Sequence, residues 1–324
     1  MPGKRKFEEQ LAVLEALRDA PDHARIEPLR KALDNKSNFV AARAADLVRT
    51  FKLTQLTPEL LAAFDRFFEH ADKSDPQCWA KNAISGALAA FEHPDADVFL
   101  RGMRHIQMEP VWGGNSDTAG TLRATCALAL VQCRSLREPE LLTHLIDLLG
   151  DKDKAVRTEA VRAIEMVNSP SASLLLRARA VLGADEPEVL GACYGGILRI
   201  EGERAIPWVG RFLQPGDDAA GEAALAIAAT HTMDGFHALR AALQQSLDPW
   251  FRSVLLSAIA LTRQDAAMEY LFDSIAKESP DAEGAIEAIV RAMPTPEVML
   301  RLDKLVAGSL RLSRHLATLR APSR

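Results

Sequence analysis

The residues best suited to chemistry or recognition stand in one stretch, residues 107–121, which reads QMEPVWGGNSDTAGT. Two glycines precede Ser116, Asp117 and Thr118, and the start of a helix follows. Free N–H groups at the start of a helix attract anions, so the stretch has the composition of a phosphate site. No lysine completes a cradle of the Walker type, however, and any of the three polar residues can cap the helix instead. The sequence therefore argues against phosphate binding here.

Two other interpretations of the same stretch stay open. It is either a recognition loop, with Trp112 as its aromatic anchor and Asn115 as a polar contact, or a loop whose tryptophan packs back on the pair of helices that it connects. Buried tryptophans dominate the binding energy of many interfaces. Insertions at one edge of a repeat protein often carry binding function.

The cysteines and histidines give no sign of a metal site. The cysteines have no CxxC spacing and stand among apolar residues, which favours reduced core thiols: Cys78, Cys126, Cys133 and Cys193. None of the eight histidines is followed by glutamate, so the repeated His-Glu pairs of a helical-repeat di-iron hydroxylase are missing. GxSxG, Walker A and GxGxxG motifs are missing too. The sequence predicts no catalytic residue, no cofactor and no metal ligand.

The bulk composition narrows the class of protein. The chain has 324 residues, 48% of them hydrophobic and 26% charged, which is enough to bury a large core. Its formal net charge of -5 does not favour a nucleic-acid backbone as the main partner. No apolar run approaches the roughly 18 residues of a membrane helix. We expect a cytoplasmic protein with no membrane association.

An apolar stripe that recurs along the chain indicates the elements that position these residues. In residues 151–169 the stripe comprises Val156, Ala160, Ala163 and Ile164, at the spacing of one helix face. The pattern recurs in seven further helices, with first positions 31 to 43 residues apart: Val40, Trp79, Leu122, Val189, Ala220, Phe251 and Ala282. Strand-favouring runs are missing, so we predict an all-helical chain.

Each striped helix follows another amphipathic helix after a short turn, so the unit is a helical hairpin. In most units six residues separate the two stripes. Two units differ, with ten residues between Phe68 and Trp79 and fifteen between Ile106 and Leu122. The stretch at 107–121 is therefore an insertion into one hairpin turn.

These features resemble HEAT repeats, in particular the short bacterial repeats called phycobilisome-lyase-like. The match is best in residues 141–167, where Asp151, Asp153, Val156 and Arg157 fit the consensus. The resemblance implies an α-solenoid of stacked antiparallel hairpins that spans residues 1–324 as a single domain. Its parts would be an N-terminal capping helix in 1–22, eight hairpins in 23–295, and a C-terminal capping helix with a basic tail in 296–324.

In such a solenoid the second helix of each hairpin lines the concave face. Several positions that should point outward are apolar or small, among them Leu128, Tyr194 and Leu225, and we take these three as candidate partner contacts. Either small residues let consecutive second helices approach closely, or the face is an apolar groove for a partner helix or for a second copy of the chain.

Arginines occupy the second stripe position in three units, as Arg123, Arg157 and Arg252. They are candidate contacts for an acidic ligand. The competing interpretation, which the interrupted pattern favours, is local bonding to turn carboxylates such as Asp153 and Asp248.

We therefore expect a non-enzymatic scaffold or adaptor that binds another protein through the concave face and residues 107–121. The alternative is a lyase-type enzyme, or a subunit of one, because bilin lyases share this repeat type. A nucleic-acid-binding HEAT-like protein is a weaker alternative, since the second helices are apolar and the net charge is acidic.

Overall fold

The computed structural model of the chain describes residues 2–214, 216–292 and 294–321. Apart from one two-stranded sheet, the regular structure of these residues is helical, which confirms the all-α class. The chain forms two compact units, Met1–Val167 and Asn168–Arg324. That residues 1–324 form a single domain stays a prediction.

The first unit contains the following helices and strands, in chain order: α1 Pro2–Ala16, α2 Asp22–Leu33, α3 Asn38–Thr50, α4 Thr57–Phe68, α5 Ala71–Ser74, α6 Trp79–Ala90, α7 Ala96–Met103, β1 Met108–Val111, β2 Gly114–Asp117, α8 Gly120–Leu130, α9 Glu138–Leu148 and α10 Lys154–Val167. Short 3-10 turns lie at Thr54–Leu56 and Pro76–Cys78.

The second unit contains α11 Pro170–Leu182, α12 Pro187–Glu201, α13 Ile206–Val209, α14 Asp218–Ala228, α15 Met233–Gln245, α16 Pro249–Leu261, α17 Asp265–Ala276, α18 Ala282–Ala292, α19 Pro296–Val306 and α20 Leu310–Arg320. Two 3-10 turns flank α13, at Gly202–Ala205 and Gly210–Leu213.

Within each unit the striped helices pack on one another in sequence order. In the first unit α3 packs on α6, α6 on α8 and α8 on α10. In the second unit α12 packs on α14, α14 on α16, and α16 on α18. The stripe of α10, from Val156 to Ile164, is fully buried, as the periodicity predicts. Burial of these stripes is the main source of stability, since helices of 11 to 15 residues are marginal in isolation.

Three sequence expectations about individual elements are wrong. Residues 108–117 form a β-hairpin rather than an irregular loop. The stripe of α6 begins one residue later than expected, so Trp79 is partly exposed while Ala80 and Leu88 are buried. The amphipathic helix expected before α14 is shorter than the others, because it consists of the four-residue α13 followed directly by the 3-10 turn Gly210–Leu213.

The two ends of the chain are helical, as expected. The N-terminal helix, expected in residues 1–22, is α1. The C-terminal segment is two helices rather than one, because residues 307–309 lie outside regular helix between α19 and α20. The last part of the predicted basic tail, residues 322–324, lies outside the described residues.

All four cysteines are free and buried, which confirms core thiols. Burial raises the pKa of Cys193 to about 12 and that of Cys78 to about 11. These thiols are therefore protonated and unreactive at neutral pH.

A glycine sets the distance between α7 and α8, the two helices on either side of the β-hairpin. A Cβ atom at Gly102 would overlap Sγ of Cys126 and would also touch Leu122 and Phe64. Close approach of the two helices thus requires a residue without a side chain at this position.

We expect Gly102→Ala to lower the free energy of unfolding by about 1–2 kcal/mol, because overpacking outweighs the higher helix propensity of alanine. In a Cys126→Ala background the same substitution should be close to neutral, since Sγ is gone. Urea denaturation of the four variants of this cycle measures the coupling. An equal loss in both backgrounds would contradict the close contact.

Candidate functional site

The β-hairpin between α7 and α8, with the residues that flank it, forms a projection that we call the finger, residues 106–118. Strands β1 and β2 are antiparallel, with Met108 opposite Asp117 and Val111 opposite Gly114. Trp112 and Gly113 form the connecting turn, and Gly113 has a φ of 94°, which glycine adopts without strain. The finger therefore ends in a tryptophan.

The outer part of the finger is apolar and exposed. Trp112 is 104% exposed, so no other described residue covers it. Three further large apolar side chains of the finger are exposed as well: Ile106, Met108 and Val111. Exposed apolar residues that occur singly are ordinary, whereas four on one short projection make the finger a candidate contact surface.

A carboxylate at the base of the finger ties it to a neighbouring turn. Oε1 of Glu109 accepts hydrogen bonds from the backbone N–H of Gln77 at 2.7 Å, the hydroxyl of Thr118 at 2.8 Å and Nε2 of Gln107 at 2.5 Å. Burial alone would raise the pKa of Glu109, but these hydrogen bonds and the charge of Lys81 outweigh it. The pKa of this carboxyl therefore lies below its ordinary value of 4.5.

A second carboxylate ties the finger to α8. Oδ1 of Asp117 accepts hydrogen bonds from the backbone N–H groups of Gln107 and Ala119, each at 3.0 Å, and Oδ2 accepts one from Arg123 at 2.6 Å. Burial alone would raise the pKa of Asp117, but these bonds hold it below its ordinary value of 3.8. The expectation that Ser116, Asp117 or Thr118 caps α8 is wrong, because the N-cap residue is Ala119 and no side chain caps it. Asp117 orders the turn before the helix instead.

Arg123 continues this network away from the finger. Its guanidinium makes a bidentate ion pair with Asp151 at 2.7 and 3.0 Å and donates to the carbonyl oxygen of His105 at 3.0 Å. Bidentate pairing fixes the orientation of both groups. The finger is therefore joined to the turn that precedes α10.

A fully buried ion pair lies beneath the finger. Asp75 and Lys81 are each 0% exposed, and Nζ of Lys81 lies 2.9 Å from Oδ2 of Asp75. Asp75 also accepts hydrogen bonds from the backbone N–H groups of Ala80 and Lys81, and Lys81 donates to the carbonyl oxygen of Phe67. The carbonyl oxygen of Asp75 in turn accepts a hydrogen bond from Gln107 of the finger at 2.9 Å.

The turn that holds this pair has a strained backbone. Gln77 and Cys78, which are consecutive, both have left-handed conformations, with φ of 59° and 53°. Non-glycine residues adopt this region only where the surroundings enforce it. Here the hydrogen bond from the Gln77 N–H to Glu109 is part of that enforcement.

Three of the residues proposed from sequence lie together in and under the finger. Trp112 is at its tip, Asn115 is exposed on β2, and Arg123 is buried at its base. Arg157 shares the turn that Arg123 binds, since it donates to the carbonyl oxygen of Asp151 at 2.6 Å. Leu128 lies half-buried further along α8.

The other three belong to the second unit. Tyr194 is 1% exposed and packs on Phe212, so the expectation that it points outward is wrong. The cause is close approach of α12 and α14, where Glu222 lies directly against Gly191. Leu225 is 42% exposed on α14 and stays a candidate surface contact.

The arginines make local bonds, which confirms the interpretation that the interrupted pattern favours. Arg252 pairs with Asp281 at 2.6 and 3.0 Å and donates to the carbonyl oxygens of Leu243 and Ser246. The carboxylate that binds it is thus not Asp248, which instead caps α16 through the N–H of Phe251.

The first unit also has a cleft, which lies between α1, α3 and α6. It is lined by Trp79 and by two arginines. These arginines already pair within the chain, Arg43 with Glu15 and Arg49 with Asp46. A ligand in the cleft would therefore have to compete with these ion pairs for either arginine.

Sequence reasoning missed Asp75, Lys81, Gln107 and Glu109. One signal could have indicated them, because the two unusually long hairpin turns belong to consecutive units. Neighbouring units place their turns side by side, and the bonds from Gln107 and Gln77 join these two long turns directly.

Neither a scan of protein-family models nor a search of curated proteins finds a match to this chain. Within the described ranges, no cluster of three or more His, Cys, Asp or Glu residues could hold a metal ion. None of the helices in the described part of the chain is long and apolar enough to span a membrane.

We expect Lys81→Met to lower the free energy of unfolding by about 3–5 kcal/mol, because it leaves the Asp75 carboxylate buried without its countercharge. The matched control is Lys277→Met, which breaks an exposed pair with Asp273 and should cost below about 0.5 kcal/mol. Urea denaturation at pH 7 measures both values. Similar losses for the two variants would show that burial of the first pair has no energetic consequence.

We expect Glu109→Gln to lower the free energy of unfolding at pH 7 by about 1–3 kcal/mol, since a charged acceptor of three hydrogen bonds is replaced. Because the native pKa lies below 4.5, the stabilisation is complete above that value and is lost as the pH falls through the native pKa. The difference between wild type and variant should therefore be constant between pH 8 and about 5.5 and shrink below about 4.5. The exposed Glu140→Gln is the control, and a difference that grows in acid would contradict the assignment.

Proposed function

We propose that this protein is a non-enzymatic scaffold or adaptor that binds another protein, and that the finger is its main contact. One observation carries the proposal. Trp112 is fully exposed at the end of a hairpin whose base is held by the hydrogen bonds of two carboxylates, the buried Glu109 and the partly exposed Asp117. A large aromatic side chain presented in water at the end of an ordered hairpin is suited to be a protein-binding anchor.

The rigidity of the finger increases the affinity that such an anchor can give. Binding loses free energy when a mobile segment must be ordered. The finger is already ordered, since Gln107, Glu109 and Asp117 each bond to groups at its base. Because the backbone of the finger is already ordered, little backbone conformational entropy is lost when a partner's pocket buries the indole.

The hydrogen bonding of the finger supports binding rather than catalysis. A general acid or base needs an ionisable group aimed at the substrate. Both oxygens of Asp117 and Oε1 of Glu109 accept hydrogen bonds from the chain itself. Cys78, beneath the finger, has a pKa raised to about 11 by burial and is not a nucleophile at neutral pH.

We further propose that the helices form an α-solenoid of about eight HEAT-like hairpins of the phycobilisome-lyase-like type, in a cytoplasmic protein. The sequence-order packing of α3, α6, α8 and α10 in one unit, and of α12, α14, α16 and α18 in the other, supports this. Stacked repeats of this kind provide long surfaces on which a projecting turn can be presented.

The experiment is Trp112→Ala in a tagged full-length protein, used as bait and compared with wild type by quantitative mass spectrometry. We expect the melting temperature to stay unchanged, because the side chain is fully exposed. The recovery of a stoichiometric partner should fall by about 30-fold or more, the effect of losing an anchor worth at least about 2 kcal/mol.

Leu247→Ala is the matched control, because Leu247 is also apolar and 94% exposed but lies in a turn of the second unit. It should leave recovery unchanged. Equal recovery of the partner by wild type and Trp112→Ala would refute the proposal. Deletion of residues 109–117 is a poorer test, since it also removes the structural carboxylates Glu109 and Asp117.

A further inference from the structure

The finger has two edges, and the hydrogen-bond register decides which backbone groups each edge exposes. The N–H of Thr118 donates to the carbonyl oxygen of Gln107 at 2.9 Å, so these two residues form a hydrogen-bonded pair. In an antiparallel ladder such pairs alternate with pairs whose N–H and C=O groups point away from each other. The outward-pointing pairs of the finger are therefore Met108 with Asp117 and Pro110 with Asn115.

The two edges differ in their capacity to bind another strand. On the β1 edge, Pro110 has no N–H, so the ladder lacks a donor at its centre. On the β2 edge, Asn115 and Asp117 both direct an N–H and a C=O outward, about 7 Å apart along the strand. Among the described residues, no other backbone segment bonds to these outward groups of β2.

We propose that the outer edge of β2 binds an extended segment of the partner protein as a third, antiparallel strand. This inference rests on the proposed function, because it names the form in which a partner of the finger binds. An unpaired edge with donors and acceptors at ladder spacing is complementary to a strand. A helix uses its own N–H and C=O groups internally and cannot satisfy such an edge.

The side chains of β2 indicate which segment fits. Gly114 and Ser116 lie on one face of the hairpin, and both are small and exposed. The partner's residues that pair with them have space for large side chains, and the exposed Val111 opposite Gly114 provides apolar contact. The segment is thus at least four residues long, with apolar side chains at alternate positions.

The test begins with a phage-displayed library of random dodecapeptides, selected on the full-length protein. Enriched peptides are synthesised, and their affinity is measured by fluorescence polarisation against wild type, Asn115→Pro, Asn115→Ala and Trp112→Ala. We expect the enriched peptides to show apolar residues with a period of two.

Asn115→Pro removes the central outward N–H of β2, and the hairpin does not use that N–H, because the register directs it away from β1. We expect binding to weaken about tenfold or more. Asn115→Ala keeps the N–H and should bind within about twofold of wild type, since its backbone ladder is intact. In the wild-type protein, bound peptide should slow hydrogen exchange of the Asn115 and Asp117 amides, a result that does not depend on the stability of any variant.

Several outcomes would overturn the inference: no enriched peptide, equal losses for Asn115→Pro and Asn115→Ala, or amides of Asn115 and Asp117 that exchange as fast with peptide as without. The two proposals fail differently. If Trp112→Ala abolishes binding while Asn115→Pro leaves it intact, the finger binds a partner, but not as a strand. If neither substitution affects binding, the proposed function fails as well.

Discussion

A buried charge must have its counterion and its hydrogen bonds, and the Asp75–Lys81 pair imposes this requirement on the first unit. Both side chains are fully buried, and each is bonded to backbone groups as well as to the other. Satisfying the pair fixes the turn before α6, including the left-handed residues Gln77 and Cys78. That turn supplies the groups to which the finger attaches. The orientation of the finger thus depends on an ion pair that solvent does not reach.

The finger combines two properties that rarely occur together in a short turn. Its base is hydrogen-bonded through Gln107, Glu109 and Asp117, while its outer part exposes four large apolar side chains and, on β2, a strand edge whose donors and acceptors are unpaired among the described residues. A mobile loop could expose the same residues, but ordering it would reduce its affinity. In the folded protein the hydrogen bonds of Glu109, Asp117 and Arg123 already order the base of the finger. Recognition and stability therefore use different atoms of the same ten or so residues.

The helices around the finger are positioned by small residues and by local arginine bonds. Gly102 allows α7 and α8 to approach, and Gly191 does the same for α12 and α14. Arg123 and Arg252 each bridge to a carboxylate 28 or 29 residues later, at a spacing close to that of the recurring stripes. These arginines join successive helix pairs and leave their charge internally neutralised. Exposed apolar groups, rather than the charges, are then available to a partner.

The sequence by itself determined the helical class, the buried stripes, the reduced core cysteines and the place of the insertion at residues 107–121. Each of these depends on periodicity or composition within one segment, which is readable without knowing the fold. It also selected Trp112, Asn115 and Arg123 as candidate contacts, all three of which the structure places in or under the finger. It could not show that residues 108–117 pair as strands, because a segment with two glycines and a proline has weak strand propensity and is held by distant groups.

Only the tertiary structure decided the burial of Tyr194, the one-residue shift of the α6 stripe and the network beneath the finger. These depend on how closely neighbouring helices approach and on bonds between turns about 32 residues apart, such as that from Gln77 to Glu109. Single glycines and single hydrogen bonds set these distances, and a periodic sequence pattern contains no information about such distances. The physical reason is that satisfying a buried polar group is a condition on the whole surrounding structure.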